Sequence, residues 1–235
     1  GAIFTNPGNY IDDYEIGPGS DLKHAYLTYA DLSNTDLNNT NLSYADLSNA
    51  NLQNANLSYS TLYGVELNYT NLQGADLRFA DLRDADIYVA DLTRADFSNA
   101  NLRHVDLSDT DLNYANLQGA DLRSVDFYFS KLNDANLREA NLRDVKLNGA
   151  DLNDANFSYA DLRGADLRDA DFNGANLNGA YLFNTNWQDA LNIDTTGAIF
   201  TNPGNYIDDY EIGPGSDLKH AYLTYADLSN TDLNN

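Results

Sequence analysis

Apolar residues recur along this chain every five positions, and each is preceded two places earlier by a small residue. From Ser20 to Asp189 the sequence divides into 34 consecutive pentapeptides without insertion. With the central position called i, that position runs Leu22, Leu27, Leu32 and onward to Trp187. It is Leu in 28 units, and the exceptions are Ile87, Phe97, Phe127, Phe157, Phe172 and Trp187. Position i−2 holds 22 Ala, five Thr, four Val and three Ser, so nothing larger than Val is admitted. Position i−1 is mostly Asp or Asn, and i+1 and i+2 are polar, aromatic or Gly.

A period of five fits neither the 3.6 of an amphipathic helix nor the 2 of a half-buried strand. On a helix the leucines would spread around the whole circumference. On a strand they would alternate between the two faces. A chain that turns a corner every five residues satisfies the pattern. Each pentapeptide is then one side of a square, and four pentapeptides make a coil. Leu at i and the small residue at i−2 point inward, where four sides converge and leave no room for bulk. Asp and Asn at i−1, and Gly at i+2 in units such as Leu72-Gln73-Gly74, suit the corners. Asn, Asp and Gly accept positive φ, and Asx side chains bond to nearby backbone. Asn-Gly pairs at 148–149, 173–174 and 178–179 fall at that same phase and read as corners, not hairpins.

The units ADLRF (75–79), ANLQG (115–119) and ADLRD (165–169) follow the pattern A-(D/N)-L-x-x, which resembles the pentapeptide-repeat family. The resemblance covers 170 of the 235 residues. It implies an all-β fold, a right-handed quadrilateral β-helix solenoid. Stacked ~4.8 Å apart like neighbouring strands, the expected 8.5 coils form a prism roughly 41 Å tall.

A second repeat lies on top of the first. Gly1–Asn39 and Gly197–Asn235 are identical, while everything between them drifts. The chain therefore reads as a window on a longer tandem array with a 196-residue period. Residues 1–19 are the end of a preceding connector, and 20–189 form the β-helix block. Residues 190–215 are a connector or cap, and 216–235 open the first coil of the next block. Within the connector, Gly197-Ala198-Ile199-Phe200-Thr201 looks like one more pentapeptide in a shifted phase. Asn202-Pro203-Gly204 and Gly213-Pro214-Gly215 are turn signals. The initial Gly and the lack of Met read as a fragment or a processed product.

The chain has no Cys, which excludes disulfides, thiolate metal sites and cysteine catalysis. No apolar run is long enough to span a membrane. The net charge of -23 is expected to repel nucleic acid, whose binding rests on neutralising phosphates. No Ser/His/Asp grouping, His cluster or phosphate-binding loop is present, and the filled axis leaves no substrate cavity, so no enzymatic activity and no organic cofactor are expected.

Three features are candidates for function. In steps of 20, Arg83, Arg103, Arg123, Arg143 and Arg163 form a column. It is either a basic stripe for an acidic partner or a ladder neutralised by nearby acids such as Asp84 and Asp144, and weak exposed ion pairs favour the second. The acidic residues Asp208, Asp209 and Glu211, with their copies Asp12, Asp13 and Glu15, form the candidate Ca²⁺ site. The spaced Asp and central Gly of a calcium loop are missing, which favours a solvated acidic loop. Trp187, Phe200, Tyr206, Tyr210 and Ile212 are the apolar candidates for covering the coil end at the junction. Exposed Tyr29, Tyr44, Tyr59, Tyr69, Tyr114 and Tyr159 at i+2, with Tyr88 and Tyr128 in another column, read as corner packing.

Two functions follow. One is a structural protein: tandem blocks forming a stiff extracellular or cell-surface bacterial fibre, with other copies of itself as partners. The family's abundance in cyanobacteria points to such a source by resemblance. The other is an acidic module that mimics DNA, because some pentapeptide-repeat proteins protect DNA gyrase in that way.

Overall fold

The computed structural model describes residues 16–200. These residues wind into a right-handed quadrilateral β-helix. Thirty-two parallel bridges join one coil to the next, and in all but one of them the partners are four pentapeptides apart, from Asp21↔Asn41 to Asp171↔Leu191. Four faces result. Face 1 takes residues 20–24, 40–44 and so on to 180–184. Face 2 runs from 25–29 to 185–189, face 3 from 30–34 to 170–174, and face 4 from 35–39 to 175–179.

Nearly every side stacks through the same set of backbone bonds. Leu52 N–H donates to Asn71 C=O at 2.7 Å, Asn71 N–H to Ala50 C=O at 3.1 Å, and Asn54 N–H to Gln73 C=O at 2.9 Å. Nearly every corner is a β-turn closed from the small residue back to the preceding central apolar residue, as in Ala25 N–H to Leu22 C=O at 3.0 Å. The i+2 residue sits there at positive φ, for example Asn34 at 55° and Tyr44 at 59°, as the third position of a type II turn requires. The Asx residue at i−1 accepts from the i+1 amide and braces the corner, as Asp46 does for Ser48 at 3.0 Å. That brace explains the preference for Asp or Asn at i−1, and the positive φ explains Asn, Asp and Gly at i+2.

The core is a column of leucines flanked by alanines, almost all at 0–2% exposure. Where the axis holds a hydroxyl, it has a backbone acceptor. Thr40 donates to Gly17 C=O at 3.1 Å and Thr70 to Leu47 C=O at 3.1 Å, while Ser130 bonds Phe127 C=O at 2.7 Å. Such groups are therefore buried without a desolvation penalty left open.

The first coil begins earlier than the pentapeptide register. Gly17-Pro18-Gly19 forms a corner of its own, with Ser20 N–H on Gly17 C=O at 3.2 Å and Gly19 N–H on Asn38 C=O at 2.8 Å. Ile16 packs against the core there. At the other end the four-unit register persists to Leu191, which pairs with Asp171. Asn192 then stands where Leu is expected, at φ 54°. Asp194 caps the Thr196 amide at 2.9 Å, and Ala198 N–H closes on Thr195 C=O at 3.0 Å. This tight loop replaces a full side. The next bridge, Tyr181↔Ile199, is two positions shorter than all the others, so Ala198 and Phe200 come to lie over Ala180 and Leu182 on face 1.

Candidate functional site

Charge is distributed unevenly over the prism. Between residues 20 and 189 face 1 has six acids and six bases, so its formal charge is zero. Face 2 has nine acids and two bases, face 3 seven and two, and face 4 four and two. Half of the block's cations therefore share one face, and five of them are the arginine column.

The column is neutralised at alternate coils. Arg83 pairs with Asp81 at 2.7 Å, Arg123 with Asp121 at 2.6 Å and Arg163 with Asp161 at 2.5 Å, each through both Nε and Nη2. Arg83 also lies over the Tyr63 ring and Arg163 over the Tyr181 ring, 5.6 and 5.9 Å from the centroids. At Arg103 and Arg143 the i−1 residue is Asn101 or Asn141, which braces the corner but carries no charge. Among the described residues neither guanidinium has an ion-pair partner within 4.0 Å, and the buried Nε of Arg103 has no acceptor. The partners are thus found at i−1, not at i+2, where Asp84 and Asp144 were the expected acids. Side chains at i−1 and i+1 leave a side in the same direction, whereas i+2 is turned away at the corner. Asp84 instead bonds Tyr63 and raises its phenol above the usual range.

These pairs shift their carboxylates. The hydrogen bond from Arg83 holds Asp81 below the ordinary value of 3.8, and Arg78 does the same for Asp76. For Asp121, burial pushes upward, yet the bonds from Arg123, with the charge of Arg103 nearby, leave it lowered.

Face 2 has the opposite character. Asp46, Glu66, Asp86, Asp106 and Asp126 occupy i−1 on five successive coils, each bridged to the next. Of these, Asp126 takes Lys146 from the coil above at 2.8 Å. Reading position i−1 in steps of 20 exposes this column, and the Asp/Asn alternation beside the arginines, in the sequence itself. Face 4 carries amides in the same place. Asn136 donates to Asn116 at 2.9 Å and Asn116 to Asp96 at 3.0 Å, a ladder that needs no counter-ion.

Several of the exposed rings are locally partnered. His24 stacks on Tyr44 at 5.3 Å and Tyr59 on Phe79 at 4.8 Å, one coil apart. At the junction, Trp187 and Phe200 contact each other with centroids 5.8 Å apart, and both pack on the core. Tyr206, Tyr210 and Ile212 lie outside the described residues, as do Asp208, Asp209, Glu211, Asp12, Asp13 and Glu15. Among the described residues no cluster of His, Asp or Glu is arranged to hold a metal ion, and no helix is long and apolar enough to cross a membrane.

The chain can be compared with known proteins on this basis. QnrB1, a plasmid-mediated fluoroquinolone resistance protein, is 19% identical and superposes with a TM-score of 0.51 over 79% of this chain and 89% of that one. At that identity the likeness is one of fold. HetL, a pentapeptide repeat protein involved in heterocyst differentiation regulation in the cyanobacterium Nostoc, is 33% identical over 81% of this chain and 88% of its own, with a TM-score of 0.36. A pentapeptide repeat protein of the Arabidopsis thaliana thylakoid lumen is also 33% identical, over 42% and 69%, with a TM-score of 0.41. No curated protein matches significantly. A family model described as pentapeptide repeats matches in eight copies, over residues 20–58, 60–88, 90–127, 121–158, 150–189 and 214–235. With the five-residue register, the filled square axis and these matches in agreement, the chain belongs to the pentapeptide-repeat family.

Proposed function

We propose that the chain is one repeat of a rod: a structural protein whose β-helix blocks follow one another end to end, outside the cell or on its surface. One observation carries this reading. The described parts of the two copies of the 39-residue segment, 16–39 and 197–200, lie at opposite ends of the same block, and both belong to its winding. Gly197–Phe200 stacks on the last coil, and Ile16–Asn39 opens the first.

Residue counts support continuity. Eight full coils of four pentapeptides lead from Leu22 to Leu182, and one coil shortened by two positions leads from Leu182 to Phe200. The step from Phe200 to Leu218, the repeat of Leu22, matches the step from Leu182 to Phe200, so it fits one more shortened coil. On this reading the period holds ten turns, about 48 Å at the usual strand spacing. Successive blocks then stack without rotation, and every arginine column falls on the same side of the rod. Solenoids of this kind gain stability from each neighbour added.

A chain of four blocks examined by small-angle scattering and electron microscopy tests the proposal. The expected outcome is a straight rod with an axial repeat of about 48 Å, ten strand spacings. Blocks that sample many angles to one another would overturn it. The second reading, an acidic DNA mimic of the gyrase-protecting type, has faces 2 and 3 in its favour, with sixteen acids against four bases. The neutral face 1 counts against it. Gyrase protection by a single block at low concentration is the result that would support it.

A further inference from the structure

We infer that face 1 of one copy docks against face 2 of a second copy, arginine column to acid column. Three observations meet in this pairing. Arg103 and Arg143 lie half-buried on face 1, without an ion-pair partner among the described residues, between coils whose arginines are paired. On face 2, Glu66 and Asp106 are exposed and take part in no ion pair among the described residues. Both columns run over five successive coils.

The pitch selects the partner. Both columns advance by one coil, about 4.8 Å, per step. A second copy of this chain has the same rise, so its acids match the arginines at every level. An unrelated polyanion has its own repeat and drifts out of step. With the column centres aligned, Arg123 lies opposite Asp86. Arg103 and Arg143 then meet Glu66 and Asp106 whichever way the second copy runs. A parallel copy reaches this position by sliding two coils. Without that slide, Arg143 meets Lys146 and like charges are opposed.

The net charge of the chain does not forbid the contact. Face 1 is formally neutral, and at physiological ionic strength charges further apart than about 8 Å are screened. A few exposed ion pairs make one such contact weak. Blocks in tandem raise the effective concentration of each following contact, so an array binds laterally far more tightly than one block. The inference does not require the rod reading, because a single block carries both columns.

Charge exchange tests it on the 235-residue chain. Sedimentation velocity at high protein concentration and moderate salt compares the unsubstituted chain, R103E/R143E, E66R/D106R and an equal mixture of the two variants. The expected result is concentration-dependent association of the unsubstituted chain, at least tenfold weaker in each variant and restored in the mixture. R94E/K131E on face 3 changes the net charge as much as R103E/R143E does and is expected to leave association in place. Melting curves check that all variants fold, since every substituted site is on the surface. Association unaffected by the face 1 and face 2 substitutions, a mixture of folded variants that stays monomeric, or an unsubstituted chain that remains monomeric would each overturn the pairing.

Discussion

The middle of the block and its C-terminal end are built from the same unit, yet they close in different ways. In the middle, each coil takes four pentapeptides, each central apolar residue is buried, and most corners are braced by an Asx side chain. At the end, the shortened coil loses one side to a loop, and Trp187 and Phe200 are only partly buried. The contrast shows that the five-residue register is a stacking rule, not a property of any single unit. A side holds its shape because the coils on both sides of it impose that shape. Where the loop takes the place of a side, the chain departs from the register and larger rings pack on the core.

The sharpest way to break the contrast is a cavity in the middle. Leu117→Ala, at 0% exposure, is expected to cost about 3–5 kcal/mol, because coils fixed from both directions cannot collapse into the space. Phe200→Ala removes a larger side chain, but from a half-covered site with room to relax. It is expected to cost about 1–2 kcal/mol, on the order of half the full burial of such a ring. Chemical denaturation of both variants measures the difference, and a greater loss at Phe200 would invert the comparison.

Glycine sharpens it on a finer scale. Gly149 sits at φ +67°, and a Cβ there would meet the Phe129 ring at 2.5 Å, so both backbone strain and crowding oppose a side chain. Gly149→Ala is expected to cost about 1–2 kcal/mol. Gly17, in the first described corner, has nothing within 4 Å of such an atom among the described residues and no positive φ. Gly17→Ala is expected to be neutral or slightly stabilising. Thermal melting of the two variants tests both.

The smallest effect is electrostatic. Asp76, Asp81 and Asp166 have carboxyls held below 3.8 by arginines on their own sides. A depressed folded value means that the stabilisation is present above the unfolded value and is lost as pH falls through the folded one. Melting temperature is therefore expected to show no change from these pairs between pH 7 and 5, where their stabilisation is fully present, and a decline from them only below about pH 4. Each is an exposed pair, screened by solvent, so its share of the decline is small. Asp81→Asn should reduce the acid-dependent decline by its share, and a titration near pH 6 abolished by that substitution would contradict this assignment.

Much of this architecture is legible in the sequence because its determinants lie within one pentapeptide. Leu at i, Ala at i−2 and Asx at i−1 announce the inward column, the narrow axis and the braced corner. The shifted phase of Ala198-Ile199-Phe200 is also visible as a pattern. Its position over Leu182 is not, because that depends on how tightly Asn192–Thr196 turns, and the loop's one apolar residue, Ile193, packs on the core without fixing the length of that turn. The charge pairing is partly hidden for a similar reason. Arg83 and Asp84 are sequence neighbours, but the side directs Arg83 toward Asp81. Such relations between directions appear only once the corner geometry is known.

The bridges also bear on how the chain reaches its fold. All-β proteins ordinarily fold slowly, because their strands pair across long stretches of sequence. Among the described residues no bridge between coils spans more than four pentapeptides, under a tenth of the 235-residue chain. That ratio is about 0.09, within the range of helical bundles and below that of β-sandwiches. A first coil pair formed anywhere along the block can serve as a template for its neighbours, so lengthening the solenoid adds mass without adding the loop-closure delay that larger β-sheets incur.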